Sequence, residues 1–120
     1  MSLLFTDNGN TFVNHGALTT AIGSFTITAW IYPTDVTPLA NDRICRRATG
    51  GSNDFFVTTG GALKCTVEYT TLSATATALN ALTQDAWQFI AFRHNAGGKR
   101  VSLWRGTLTS AISEEGYLIQ

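Results

Sequence analysis

The stretch from Phe25 to Pro33 constrains the fold most strongly, because its side chains alternate with a period of two. Every second residue is apolar, which predicts a face packed on a core: Phe25, Ile27, Ala29 and Ile31. The intervening residues predict an outward face: Thr26, Thr28, Trp30 and Tyr32. β-Branched and aromatic residues throughout favour a strand. Pro33 has no N–H to donate to a sheet, so we expect the strand to end there.

A second stretch of this kind runs from Trp87 to His94, with Phe89 and Ala91 on one face and Ile90 and Phe92 on the other. We place Phe92 on the outer side of its sheet. Turns rich in Gly, Asn and Asp separate further short strands, predicted at residues 11–14, 42–47, 54–58, 62–70, 72–78 and 99–105. Residues 72–82 also show apolar residues at helical spacing, and a strand is the favoured interpretation. We therefore predict an all-β protein, an antiparallel two-sheet β-sandwich.

A chain of 120 residues is long enough to bury one core, so residues 1–120 are expected to form a single domain. The eight basic and eight acidic residues cancel, which leaves no positive field for a nucleic-acid partner. No apolar run is long enough to cross a membrane. Residues 1–5 lack the features of a secretory signal. We expect either a protein used without export or a piece of a larger exported protein.

Cys45 and Cys65 allow at most one disulfide. Because a strand at residues 54–58 is expected between theirs, they should lie about two strand spacings apart, roughly 9–10 Å. That separation exceeds the reach of a disulfide. The sequence therefore predicts two free, buried thiols.

Four segments occur in an order that is typical of one family. They are residues 4–13 with Asp-Asn-Gly at a turn, residues 25–33 (FTITAWIYP), residues 43–47 (RICRR), and residues 87–106 with WQFIAFR and VSLWRG. In this combination they resemble the laminin-G-like, concanavalin A-like jelly-roll modules, which also occur in pentraxin-like domains. The resemblance covers residues 3 to 106 and implies a concanavalin A-like β-sandwich.

The chain departs from the family's pattern after residue 106. Family members continue with further strands, the last of which pairs near the N-terminal strand, whereas this sequence stops at Gln120. The resemblance therefore implies a minimal sandwich, a truncated one, or one whose missing edge comes from a partner chain. The last alternative predicts a larger assembly or a homo-oligomer.

The same superfamily contains glucanases, which carry paired carboxylates on one strand in the pattern Glu-x-Asp-x-x-Glu. That pattern is absent, and the adjacent Glu114 and Glu115 would face opposite ways on a strand. We therefore predict that the protein is not an enzyme and has no required cofactor. His15 and His94 lack the spacing of zinc ligands, and His94 is expected to be a turn residue beside Asn95.

Some family members bind calcium through loop carboxylates, so the resemblance leaves a calcium site open at Asp7, Asn8 and Asn10. The side-chain oxygens of these residues are close together, but no bidentate glutamate accompanies them. The alternative is a hairpin turn that the Asp and Asn side chains stabilise through hydrogen bonds to the backbone.

Outward aromatic side chains are the best candidates for a ligand-binding site. The strand patterns place four of them on outer faces: Trp30, Tyr32, Phe92 and Trp104. Exposed rings with Thr and Asn nearby suit stacking against a glycan, and they equally mark contacts with another protein. Burial beneath loops or the C-terminal tail is the alternative.

Together these observations predict a non-catalytic binding or structural module. Free thiols, a missing export signal and a short C-terminus suit a virion component, such as a bacteriophage surface or decoration protein with glycan adhesion. The alternative is a carbohydrate-binding module from a secreted multidomain enzyme or adhesin, with or without bound calcium.

Overall fold

A computed structural model describes residues 23–47, 53–68, 73–79 and 81–119. Every regular element in these ranges is a strand: β1 (Phe25–Ile31), β2 (Asp42–Arg47), β3 (Asn53–Val57), β4 (Leu63–Glu68), β5 (Ser73–Ala78), β6 (Gln88–Asn95), β7 (Arg100–Thr107) and β8 (Ser113–Ile119). Two antiparallel four-stranded sheets result. Sheet A has the order β1-β6-β7-β8, and sheet B has the order β2-β3-β4-β5. The predicted two-sheet sandwich is confirmed.

The first strand has the two faces that its sequence predicts. Its four apolar residues are half-buried and pack against the core, whereas the threonines and Trp30 between them are exposed. β1 ends at Ile31, before the proline that lacks an N–H for the sheet. β1 runs antiparallel to β6, with Ile27 opposite Phe92 and Ala29 opposite Ile90, so their inward rows lie side by side.

The core lies between the sheets and is built mainly from β3 to β7. Its fully or nearly fully buried strand residues are apolar and alternate along each strand: Phe55, Val57, Leu63, Cys65, Val67, Ala76, Ala78, Ile90, Phe92, Val101 and Leu103. Burial of a large apolar side chain stabilises a fold by about 1.5–3 kcal/mol, so these rows hold the two sheets together.

Phe92 belongs to this core, and its predicted outward position is wrong. Its partner across the strands is Ile27, which already points inward. The Phe92 side chain is 0% exposed, and its ring centroid lies 5.3 Å from that of Phe25 and 5.8 Å from that of Phe55. Phe92 is therefore part of the aromatic centre of the sandwich and is not available to a ligand.

The two cysteines are free as predicted, and Cys65 is buried, but Cys45 is only partly buried. Cys45 of β2 and Cys65 of β4 flank Phe55 of β3 from opposite sides, and both thiols are free. Burial raises the pKa of the Cys65 thiol from 9.0 to about 12. Burial and then the negative charge of Asp54 raise the pKa of the Cys45 thiol. Thiols of high pKa are poor nucleophiles at neutral pH, so neither residue suits covalent catalysis.

His94 is a buried strand residue, and its assignment to a turn is wrong. It lies within β6, and its ring Nδ1 is 3.0 Å from the carbonyl oxygen of Gly23. The β6–β7 turn follows Asn95, whose Oδ1 accepts a hydrogen bond from the Gly98 N–H. That bond closes the hairpin predicted from the Asn-Ala-Gly-Gly sequence.

The C-terminal strand β8 was not predicted as a strand. It pairs with β7, and one register shift lies opposite Leu103 and Trp104. A Cβ atom on Gly116 would lie 2.7 Å from the carbonyl oxygen of Thr77, so only glycine allows β8 to approach β5 this closely. Through this contact β8, at the edge of sheet A, packs against β5, at the edge of sheet B.

Several predictions concern residues outside the described ranges. They are the strand at 11–14, His15, and the calcium ligands Asp7, Asn8 and Asn10. The strand predicted at 72–78 is confirmed by β5, which excludes the helical interpretation for Ser73–Ala78.

Candidate binding face

The outward side chains of β1, β6 and β7 form one continuous surface of sheet A, referred to here as face A. Its members are Thr26, Thr28, Trp30, Phe89, Ala91, Arg93, Ser102 and Trp104. The pairing arranges them in rows across the sheet. One row joins Thr28, Ala91 and Trp104, and the next joins Thr26, Arg93 and Ser102. Residues far apart in the sequence are thereby brought within two strand spacings of each other.

An open depression of about 240 Å³ lies on face A. It is lined by Thr26, Thr28, Phe89, Ala91, Arg93, Trp104 and Ile112. Pockets that enclose small molecules typically measure about 300–1,000 Å³, so this depression is shallow by comparison. It suits a ligand that presents one flat face to the protein and keeps its other face in solvent.

The wall at Ile112 depends on a glycine. A Cβ atom on Gly106 would lie 3.3 Å from the Ile112 Cα, so the backbone after β7 folds directly over this position. The Thr107 and Ser110 side-chain oxygens are 2.8 Å apart, and Thr107 Oγ1 accepts a hydrogen bond from the Ser110 N–H. These bonds hold the β7–β8 turn and place Ile112 at the edge of the depression.

Trp104 and Phe89 are the aromatic residues that line the depression, and Trp104 is the one with a polar group. It is half-buried, and its Nε1–H donates a hydrogen bond of 3.0 Å to the Ser102 Oγ. This bond satisfies the only polar group of the indole and restrains its orientation. A ring held in this way loses little conformational entropy when a ligand packs against it.

Two further aromatic pairs flank the depression. Trp30 is 50% exposed, and its ring meets that of Phe89 edge-on at 5.6 Å. Tyr32 is 46% exposed and meets Trp87, which is 43% exposed, in the same way. Of the four aromatic residues predicted as binding residues, Trp30, Tyr32 and Trp104 are therefore exposed or half-exposed, and Phe92 is inside.

The sequence pattern placed Thr26 and Thr28 outward but missed the residues of β6, and Ile112, that share the depression with Trp104. It separated the two faces of β6 correctly but assigned the wrong one to solvent. Arg93 does indicate the outward face of β6 in the sequence. It alternates with Phe89 and Ala91, and a charged side chain is rarely buried without a partner. That single residue identifies its face of β6 as the outward one. The contribution of Ile112 follows only from the folded turn.

Arg93 differs from the arginines of β7 in its surroundings. It is exposed, and no ion pair or hydrogen bond joins its side chain to another described residue. By contrast, Arg100 pairs with Glu114 and covers the Tyr117 ring at 4.6 Å. Arg105 pairs with Glu115 at 3.6 Å. Within the part of the chain that the structure describes, the Arg93 guanidinium is therefore not engaged by another side chain.

The described residues contain little that suits hydrolysis or metal binding. Glu114 and Glu115 contact arginines on opposite faces of β7, so they do not form the paired carboxylates of a glucanase. Across residues 23–47, 53–68, 73–79 and 81–119, no group of three or more His, Cys, Asp or Glu side chains is placed to hold a metal ion. In the same ranges no helix has the length and apolarity needed to cross a membrane.

The comparison with family models agrees with this architecture. A laminin G model, described as the concanavalin A-like lectin/glucanases superfamily, matches residues 6–107, which include β1 to β7. A search of curated proteins and a search of solved structures each found no significant match. The match covers most of the chain, and the sheets have the antiparallel sandwich arrangement that the family implies. The chain therefore belongs to the concanavalin A-like lectin/glucanases superfamily.

Proposed function

We propose that this protein is a non-catalytic binding module that holds a saccharide on face A. The observation that carries the proposal is the shared depression of Trp104, Thr26 and Thr28. An aromatic ring and hydroxyl groups on one open surface match the two kinds of surface that a sugar ring presents. Its C–H face packs on the aromatic ring, and its hydroxyl groups exchange hydrogen bonds with the threonines.

The hydroxyl groups of Thr26 and Thr28 are available for this role. Neither side chain makes a hydrogen bond to another described residue, and both residues are exposed. They lie on adjacent outward positions of β1 and face Trp104 across β6. A saccharide in the depression would therefore contact the indole on one side and two hydroxyl groups on the other.

The composition of the depression favours binding without hydrolysis. None of its lining residues is an Asp or a Glu. Glycoside hydrolysis ordinarily uses two carboxyl groups on either side of the scissile bond. Among the described lining residues, a saccharide in the depression would find neither a general acid nor a carboxylate nucleophile.

Protein–protein contact is the second candidate function. The exposed pairs Trp30–Phe89 and Tyr32–Trp87 favour it, because aromatic residues are enriched at such contacts. In this case the partner would be another protein or a second copy of the chain. The two candidates predict different results for the substitutions below, because Trp30 and Tyr32 do not line the depression.

The virion-surface role and the secreted-module role both remain predictions, as does calcium binding. Each is compatible with a saccharide-binding face. Association of the native protein with virus particles would support the first role. Saccharide binding that requires calcium and is lost when a chelator is added would support a metal site at Asp7, Asn8 and Asn10.

The experiment is a titration of the labelled protein with a panel of neutral and acidic oligosaccharides, with calcium and again with chelator. The Trp104 indole N–H resonance reports binding in the wild type, and the backbone amide resonances of Thr26, Thr28 and Ala91 report it in every variant. Trp104→Ala should weaken the affinity about 10-fold or more, because loss of one aromatic contact is worth about 0.5–1.5 kcal/mol beyond the lost contact area. The matched control is Phe56→Ala on the outer side of sheet B, which should leave the affinity unchanged.

Equal losses in Trp104→Ala and Phe56→Ala would contradict the proposal. Absence of binding by any saccharide, together with self-association that Trp30→Ala abolishes, would favour the protein-contact function instead.

A further inference from the structure

We infer that Arg93 makes face A selective for saccharides that carry a carboxylate group. The inference rests on the proposed function and adds the chemical class of its ligand. It follows from the position of Arg93, from its lack of a charged partner among the described residues, and from the absence of Asp and Glu among the described residues that line the two depressions.

Arg93 stands between two depressions. The first is the one that Trp104 lines, and the second, of about 260 Å³, is lined by Ser24, Phe25, Thr26, Arg93, His94 and Asn95. Arg93 and Thr26 are the residues common to both, and they are directly opposite each other on β6 and β1. A chain of sugar residues that spans the two depressions would therefore pass over the guanidinium group.

The distance between Arg93 and Trp104 suits a single sugar ring. Trp104 is opposite Ala91, and Arg93 is opposite Ser102, so the two residues are diagonal neighbours on adjacent strands. Diagonal positions on one face of a sheet lie about 7–8 Å apart, within the reach of long side chains. A ring packed on the Trp104 indole would place a substituent at its edge beside Arg93.

A carboxylate is the substituent that best fits this position. The planar guanidinium group can donate two parallel hydrogen bonds to a carboxylate, which gives both orientation and affinity. The Thr26 hydroxyl group lies across the strand pair and can donate another. No Asp or Glu lines either depression, so no carboxylate of the lining residues competes for the guanidinium group.

Other described cations are engaged elsewhere or lie off this surface. Arg43 lies 4.0 Å from Asp54, and Lys64 covers the Phe56 ring. Arg100 and Arg105 each form an ion pair with a glutamate of β8. Lys99 is exposed on the β6–β7 turn and lines neither depression. Lys99 is therefore a matched control, because its loss changes the net charge equally without altering face A.

The experiment compares uronic acid oligosaccharides with their methyl esters, which keep the same rings and remove the charge. Galacturonate, glucuronate and mannuronate oligomers are titrated into the wild type, Arg93→Gln, Arg93→Lys and Lys99→Gln. The wild type should bind at least one acid about 10-fold or more tightly than its ester, as expected for a charge-assisted hydrogen bond. The ratio of the acid affinity to the ester affinity should fall at high salt, because salt screens charge interactions at an exposed site.

Arg93→Gln should lower the ratio of the acid affinity to the ester affinity to about one. Arg93→Lys should retain part of the preference for the acid over its ester. Lys99→Gln should retain the whole of that preference. A preference that persists in Arg93→Gln, or that Lys99→Gln removes equally, would overturn the role of Arg93. Stronger binding of sulfated galactan oligomers than of every uronate would overturn the assignment of a carboxylate.

The failures of the two proposals are distinguishable. If neutral saccharides bind the wild type and shift the Trp104 indole resonance, but acids bind no better than esters, the carboxylate inference alone is wrong. If no saccharide, acidic or neutral, shifts that resonance, the proposed saccharide function is wrong as well.

Discussion

The two sheets present outer faces that differ in how their polar groups are used. On the outer face of sheet B, referred to as face B, polar side chains contact one another. The Thr66 and Thr75 hydroxyl oxygens are 3.1 Å apart, and the Lys64 Nζ lies 5.8 Å from the centre of the Phe56 ring. On face A the threonines of β1 and Arg93 make no such contacts with described residues.

This difference in polar contacts between the two faces shows that an outward position does not by itself make a binding site. Both faces consist of alternate residues of antiparallel strands, and both carry threonine, a basic residue and aromatic rings. On face B these groups stabilise the sheet through cross-strand pairs. On face A, Thr26, Thr28 and Arg93 line a depression without a hydrogen bond or ion pair to another described residue, so their polar groups are available to a ligand.

The largest expected effect tests whether face A is placed on the correct side of β6. Phe92→Ala should lower the free energy of unfolding by about 3–5 kcal/mol, because it leaves a cavity among buried rings. The control is Phe89→Ala on face A of the same strand, where we expect a loss of about 1 kcal/mol. Urea unfolding followed by tryptophan fluorescence measures both. Similar losses of stability in the two variants would contradict the assignment of Phe92 to the core and of Phe89 to face A.

The second largest expected effect is a loss of stability at alkaline pH that comes from Cys65, on the inner side of sheet B. Burial raises the pKa of the Cys65 thiol from 9.0 to about 12, so the folded chain keeps this proton after the unfolded chain has lost it. The unfolded state then binds fewer protons, and the free energy of unfolding falls as the pH rises from 9.0 towards about 12. The fall contributed by this thiol is at most about 1.4 kcal/mol per pH unit.

Unfolding measured in the presence of reductant across this pH range tests the expectation. Cys65→Ala should be less stable than the wild type near neutral pH but should lose less stability at alkaline pH. The same dependence on pH in both proteins would show that water reaches the thiol and that the inner side of sheet B is not closed.

The smallest effect compares threonines of the two faces directly. Thr66→Val on face B should lower the free energy of unfolding by about 1 kcal/mol, because the Thr75 hydroxyl group loses its partner. Thr28→Val on face A should change it by less than about 0.5 kcal/mol and should weaken saccharide binding. Thermal unfolding and the oligosaccharide titration measure the two quantities. The comparison would fail if Thr28→Val destabilised the protein as much as Thr66→Val.

Much of the fold could be predicted because local patterns carry it. Alternation in residues 25–31, the turn sequences at 59–61 and 95–98, and the strand between the cysteines are all reproduced by the structure. β8 escaped prediction because Glu114, Glu115 and Gly116 interrupt the apolar alternation. This strand is instead stabilised by pairing with β7, by ion pairs with arginines and by the close approach of Gly116 to β5.

The candidate site was predicted only in part. Trp30, Tyr32 and Trp104 are recognisable from the sequence as outward aromatic residues, since each follows a clear period of two. Phe92 was misassigned because a run of apolar residues in β6 hides which face is inward. The register with β1, which sets Phe92 opposite Ile27, agrees with the outward position of Arg93 and places Phe92 inside.

The sequence by itself determined the family, the all-β class and the separation of each strand into two faces, because these depend on residue type and spacing. The tertiary structure was needed to set the register of β6 against β1, since strand pairing joins residues that are far apart in the sequence. It also decided that Thr26, Thr28, Arg93, Trp104 and Ile112 surround one depression. They come from three strands and a turn, and only the packing of these elements brings them together.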